Sequence, residues 1–309
     1  MKEQKIIPSL EVSLGPLKLK NPVITASGTF GYGEEYARYI DLNRLGGITV
    51  KGLSIKPLQG NPPPRICETP SGMLNAIGLQ NIGVDEFIHK KLPFLNQYDI
   101  KVIANIFGNT IEEYEAVAAK LDRANGVHAV EVNISCPNVK KGGMAFGTDL
   151  DSTSEVLKAV RGATGLPVIA KLSPNVTNVV PFAERAAHAG VDALSLINTL
   201  LGMAIDIRSR KPRLANITGG LSGPAIRPVA IRIVWQVHRA VGLPIIGMGG
   251  IMNADNAVEF MLAGASAVAV GTANFVNPAA PVEIVEGIRK YLVERNIDHA
   301  YHLVGQVQA

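Results

Sequence analysis

Apolar and polar positions along the chain fall into a repeating pattern. Eight short apolar runs recur, most of them separated by stretches whose apolar residues sit at helical spacing. The runs are Pro22–Ser27, Gly47–Gly52, Lys101–Ile106, Ala129–Ser135, Pro167–Ser173, Ala193–Thr199, Pro244–Gly250 and Ala267–Ala273. Helical spacing covers Glu34–Leu42, Thr110–Ala124, Ser152–Ala163, Asn178–Ala189, Pro228–Val241, Ala254–Ala263 and Pro281–Glu294. Several runs are apolar almost throughout, as strands of a parallel sheet are when both faces are buried. The alternation predicts an α/β fold closed as a (β/α)8 TIM barrel, with a doubly wound sheet as the alternative.

Ahead of the first run, residues 11–21 read as a hairpin around Gly15-Pro16. Three intervals are too long for ordinary strand-to-helix connections: Leu53–Ile100 after the second strand, Pro137–Asp151 after the fourth and Leu200–Arg227 after the sixth. All three leave the C-terminal ends of strands, the face on which barrel enzymes place their sites. No interdomain linker or low-complexity tract interrupts the pattern, so residues 1–309 are expected to form one domain.

The run Ala129–Ser135 differs from the others. Val130, Val132 and Ile134 alternate with Glu131, Asn133 and Ser135, giving a strand with two unlike faces. Cys136 follows, Pro137 cannot easily continue a ladder, and Asn138–Gly147 reads as a loop able to open and close. A thiol at a strand end, beside amides and beneath a glycine-rich flap, is a candidate reactive group. No histidine lies near it in sequence, so a cysteine–histidine pair has no support. An ordinary thiol, with a pKa of about 8.5, is only a few per cent thiolate at neutral pH.

Composition narrows the possibilities. The chain is 309 residues long and 47% hydrophobic, enough for one large core. Its net charge of +4 is too small to suggest nucleic acid. The basic cluster Arg208, Arg210, Lys211 and Arg213 reads as a solvated loop or protein contact. Two cysteines, Cys67 and Cys136, make no disulfide framework and cannot supply the four thiolates of a usual iron–sulfur cluster. Cys67 reads as a loop residue. There is no HExxH pattern, and His299 and His302 read as solvated, so no metal site is expected. The N-terminus lacks the apolar run of a signal peptide, and no long apolar stretch follows, so a soluble cytoplasmic protein is expected.

Polar residues at strand ends carry the chemistry. Lys51, Asn105, Asn133, Lys171 and Asn198 stand where a packed barrel core would be apolar. Two lysines and three amides suit an anionic, planar, amide-bearing ligand. Gly247 to Gly250 and Gly271-Thr272 end the last two strands, where barrels often hold phosphate on backbone N–H groups. By contrast, Gly28, Gly31 and Gly33 are in the wrong order for a dinucleotide fingerprint and read as a turn.

Taken together the motifs resemble a known family. Asn133 to Asn138 (NISCPN), Asn75 to Leu79 (NAIGL) with Asn81, Lys171 to Pro174 (KLSP), Gly219 to Pro224 (GGLSGP), Gly247 to Gly250 (GMGG) and Gly271-Thr272 resemble class 1 dihydroorotate dehydrogenases. The likeness spans about Val23 to Ile288, with the motifs in matching order. Cysteine rather than serine at position 136 argues against the membrane-linked class 2. Lys140 to Asp149 and Ile205 to Pro212 are similar to the class 1B catalytic subunit, and class 1A, which uses fumarate, differs most there.

The resemblance implies an FMN-dependent oxidation of dihydroorotate to orotate in pyrimidine biosynthesis. Ser27, Lys51, Gly52, Asn105, Asn133, Lys171, Ile197, Gly223, Gly249, Gly250, Gly271 and Thr272 would contact FMN, with the phosphate on the last four. Lys51, Asn75, Ala76, Ile77, Gly78, Leu79, Asn133, Asn198 and Thr199 would hold the substrate. Cys136 would remove the C5 proton while hydride leaves C6 for the flavin. The resemblance also implies a partner subunit carrying FAD and a [2Fe–2S] cluster, which passes electrons to NAD within a heterotetramer of two catalytic and two electron-transfer chains. Three other readings remain at this point. They are the fumarate-linked class 1A activity, a Schiff-base aldolase or lyase with Lys171 as nucleophile, and a non-enzymatic barrel that binds a phosphate-bearing ligand.

Overall fold

The computed structural model describes residues 7–134 and 149–308. The N-terminal hairpin forms as expected, Val12–Leu14 pairing antiparallel with Leu17–Leu19. Val12, Leu14, Leu17 and Leu19 are buried, whereas Ser13 and Lys18 are exposed, so one apolar face of the ribbon covers the body. Gly15 turns the hairpin at φ +60°, and an added Cβ would lie 3.1 Å from Asp192, just ahead of a barrel strand. The hairpin therefore packs at the end of the barrel where strands begin.

Eight parallel strands close the barrel: β1 (Val23–Thr25), β2 (Gly47–Thr49), β3 (Lys101–Ile106), β4 (Ala129–Asn133), β5 (Val168–Lys171), β6 (Ala193–Leu196), β7 (Ile245–Met248) and β8 (Ala267–Val270). Pairing runs in chain order, and β8 closes on β1 with Val268 opposite Val23. Each strand stops two or three residues before its apolar run does, apart from β3, which ends where the run ends. Val50 N–H still donates to the Ile103 carbonyl of β3 at 3.0 Å, but the next residue turns away, and the Lys51 N–H donates to the Gly31 carbonyl at 2.9 Å.

The helices returning outside the barrel are Ile111–Asp122, Leu150–Ala163, Val180–His188, Arg227–Ala240, Ala254–Ala263 and Ala280–Glu294. Thr110, Asp149 and Asn253 each accept from a backbone N–H three residues on, the N-cap bond that starts a helix cleanly. The first expected helix is shorter than Glu34–Leu42. It covers Glu34–Ala37, because the Asp41 side chain accepts from Asn43 N and starts a separate turn, Leu42–Arg44. A helical run absent from the sequence pattern fills the return from β2 to β3: Val84–Glu86, a π-helical turn Phe87–Lys91, and Leu92–Leu95.

The intervals after β2 and β6 are not loose loops. They combine into one four-stranded antiparallel sheet, ordered Leu200–Met203, Thr218–Ser222, Gly72–Asn75 and Ile66–Thr69. Cys67 lies in its last strand opposite Leu74, which corrects the reading of it as a loop residue. Leu74, Ala76 and Leu214 make a small core of their own beneath Cys67. A two-stranded ribbon, Ile205–Asp206 with Lys211–Pro212, carries the exposed basic cluster at Arg208, Arg210 and Lys211, with Arg213 just beyond. The expected flap, Asn138–Gly147, lies outside the described residues. Among the described residues, no helix is long and apolar enough to cross a membrane.

Candidate functional site

The antiparallel sheet sits over the end of the barrel where strands finish. An added Cβ at Gly220 would run into the Thr199 side chain just past β6. At Gly250, just past β7, it would lie 2.8 Å from the Gly223 carbonyl. Thr272, just past β8, donates from Oγ1 to Ser222 Oγ at 2.8 Å. These contacts bring the expected residues from both layers to one mouth.

Lys51 and Gly52 follow β2, Asn105 lies in β3, and Asn133 and Lys171 end β4 and β5. Ile197, Asn198 and Thr199 follow β6, the Leu196–Ile197 peptide being cis. Asn75 ends a strand of the upper sheet, and Ala76 to Leu79 continue from it. Gly78 and Leu79 have φ of +74° and +59°, and the carbonyls of Ala76 and Ile77 accept from the Asn61 side chain and backbone, each at 2.9 Å. Ser27 follows β1, half-buried. Cys136 is outside the described residues.

Two hydrogen-bonded sets organise the amides. Asn198 Nδ2 donates to Asn133 Oδ1 at 3.2 Å, while Asn198 Oδ1 accepts from Thr199 N at 2.8 Å. Asn75 Nδ2 reaches the Gly220 carbonyl at 3.4 Å. Deeper in the barrel, Asn105 Nδ2 donates to Glu131 Oε1 at 2.6 Å. The Lys171 ammonium stands 3.5 Å from the same oxygen. Glu131 is 1% exposed, and in the sequence it is only one polar position of an alternating strand. Its partners are 26 and 40 residues away, so adjacency in sequence carried no signal of the pairing.

Lys51 is the second cation. Burial, then the neighbouring charges of Arg65 and Lys171, pull it below the ordinary lysine value of 10.5. A carboxylate from outside would relieve that strain by neutralising part of the positive field. The glycine corner is equally specific. Gly223, Gly249 and Gly250 have φ of +98°, +130° and +74°, a region that side chains rarely adopt. Gly249 and Gly250 lie just past β7, one of the two strands after which barrels often hold phosphate.

A cavity of about 630 Å³ lies elsewhere, lined by Lys18, Lys20, Lys101 and His299 at the ends where strands begin. It contains none of the expected site residues, and position on the barrel favours the mouth as the seat of chemistry. Among the described residues, no group of three or more metal-ligating side chains is clustered as a metal ion would need.

Comparison with known proteins identifies the family. The sequence model of the family described as dihydroorotate dehydrogenase matches residues 9–292. A protein of Desulforamulus reducens named dihydroorotate dehydrogenase B (NAD(+)), catalytic subunit, is 61% identical over 297 residues, 96% of this chain and 98% of the relative. Proteins of the same name from Geotalea daltonii and Trichlorobacter lovleyi are each 60% identical over 301 residues, covering 97% of this chain and 99% of theirs.

Proposed function

The chain belongs to the dihydroorotate dehydrogenase family, and on that premise we infer that it oxidises (S)-dihydroorotate to orotate as the FMN-binding catalytic subunit of the NAD-linked class. The observation that carries this reading is the convergence of Lys51, Lys171, Asn105, Asn133 and Asn198 on one barrel mouth beside a corner of glycines with positive φ. The aldolase alternative centred on Lys171 is displaced by the family match.

The residues present suit FMN. Its phosphate would be held at the corner of Gly249, Gly250, Gly271 and Thr272, just past β7 and β8, where barrels often bind phosphate on backbone N–H groups. The amides and ammonium of Asn105, Asn133 and Lys171 would hold its polar ring edge, with Ser27, Lys51, Gly52, Ile197 and Gly223 completing the contacts. When bound, FMN supplies a two-electron acceptor for the hydride equivalent leaving C6 of the substrate.

This chain's own residues do the rest. The Lys51 ammonium pairs with the substrate carboxylate, which favours its charged form against the neighbouring cations. Asn75, Asn133 and Asn198 match the C=O and N–H groups of the pyrimidine ring, since a primary amide both donates and accepts. The bond from Thr199 N fixes the Asn198 carbonyl end, so its amide orientation is set before substrate arrives. Ala76 to Leu79 wall the ring on the side of the upper sheet. Cys136, three residues beyond the end of β4, removes the C5 proton as the thiolate.

Electrons then leave through another protein. The relatives are named catalytic subunits, which implies a partner. We assign to that partner the FAD and [2Fe–2S] cluster and the reduction of NAD, in a heterotetramer of two chains of each kind working in the cytoplasm. The visible spectrum of the purified chain, before and after anaerobic dihydroorotate, tests the core of the reading. A flavin spectrum that bleaches is expected, and a colourless protein, or a colour that dihydroorotate leaves unchanged, would sink it.

A further inference from the structure

Among the described residues, Glu131 is the only fully buried acidic side chain, and Lys171 the only fully buried basic one. Taking a carboxylate out of water is costly, and replacing a buried ion pair by well-packed apolar groups is often neutral or stabilising. The neighbouring positions of β4 are apolar and wholly buried, so folding alone gives no reason for a charge at 131. Its geometry supplies one. A carboxylate can only accept, so Asn105 must turn its NH2 towards Glu131, which leaves Asn105 Oδ1 on the side of Gly52. A Cβ at Gly52 would lie 2.8 Å from that oxygen and cover it. Gly52 and Asn105 thus form one device that presents an acceptor. Lys171 stands 3.5 Å from the same carboxylate oxygen, and an ammonium with three N–H donors can serve more than one acceptor at once.

We propose that Glu131 is a positioning residue of the flavin site, orienting the Asn105 amide and offsetting the charge of Lys171. The proposal rests on the FMN reading above. It sets the charge that bound flavin would meet: with glutamate at 131, the Lys171 cation is balanced and Lys51 is left to answer the substrate carboxylate. With an uncharged side chain at 131, a second cation would stand unbalanced beside the ring and favour the electron-rich form of the cofactor.

The test uses the full-length, flavin-loaded chain and reads the midpoint potential of bound FMN in wild type, E131Q, K171Q and the double variant. E131Q is expected to shift the equilibrium towards reduced flavin by about tenfold, which is about 30 mV more positive for a two-electron couple. Added to K171Q, the same substitution is expected to change the equilibrium by less than about twofold, because its effect is exerted through Lys171. An unchanged or more negative potential in E131Q, or an equal shift in both backgrounds, overturns the proposal. Where E131Q sheds its flavin, the dissociation constant of added FMN is read by the same comparison, as it is for E131D should the glutamine variant not fold. A loss of affinity that K171Q abolishes supports the coupling, and an equal loss in both backgrounds, or none, overturns it. A wild-type chain that neither retains FMN nor bleaches with dihydroorotate overturns the underlying reading instead, before any variant is compared.

Discussion

Asn198 donates to Asn133 at 3.2 Å, linking the segment after β6 to the end of β4 across the top of β5. The two amides are 65 residues apart in sequence and, on the proposed reading, would act as one recognition edge. Replacing Asn198 by alanine removes a neutral hydrogen-bonding group and unties Asn133. We expect kcat/KM for dihydroorotate to fall about tenfold, roughly 1.4 kcal/mol, with FMN retained. Steady-state kinetics beside the flavin absorbance check this, and an unchanged kcat/KM would remove Asn198 from the substrate edge.

The proposed base makes a sharper prediction. C136A is expected to keep its FMN and to slow anaerobic bleaching by dihydroorotate at least about 100-fold, the lower end of general-base contributions. Stopped-flow reduction measures it directly. Bleaching at a near-normal rate would take Cys136 out of the mechanism.

Lys51 predicts a pH dependence. Its lowered pKa means that it gives up its proton, and with it the positive charge, at a lower pH than an ordinary lysine. Pairing with the substrate carboxylate needs the charged form, so KM for dihydroorotate should rise on the alkaline side, beginning below pH 10.5. Arg65 contributes to the lowering, so R65Q should move that limb to higher pH. A KM that stays flat between about pH 7 and about pH 10, in both forms, would count against Lys51 as the carboxylate partner.

Two glycines should respond in opposite directions. Gly250 has φ +74°, and an added Cβ would meet the Gly223 carbonyl at 2.8 Å. G250A is expected to cost about 1–3 kcal/mol and to weaken FMN retention. Gly162 lies in the Leu150–Ala163 helix with nothing within 4 Å of an added Cβ. G162A should therefore stabilise the chain by up to about 1 kcal/mol without touching flavin. Thermal melts and flavin release on dilution separate the two cases.

The barrel was legible because its physics is local. A parallel strand covered on both faces reads as a short, mostly apolar run, and β1 to β8 all fall within the expected runs. The returning helices announced themselves through spacing and through caps such as Thr110 and Asn253. The upper sheet was not legible. Leu74 pairs with Leu221, far away in sequence, and its strands are short, partly exposed and rich in glycine, so neither periodicity nor length marks them. The run Val84–Leu95 was hidden for a related reason, since its π-helical turn breaks the regular helical period.

By itself, then, the sequence determined the barrel, the end of it that carries chemistry, and the motifs by which the family is recognised, because apolar runs, turn residues and short motifs are properties of neighbouring residues. Only the tertiary structure decided which polar groups share an atom. Glu131 looked like one polar position of an alternating strand until Asn105 from β3 and Lys171 from β5 were both seen at its Oε1. Cys67 likewise read as a loop residue until Leu74 was found opposite it. Pairing across strands depends on register and closure, which no single segment encodes.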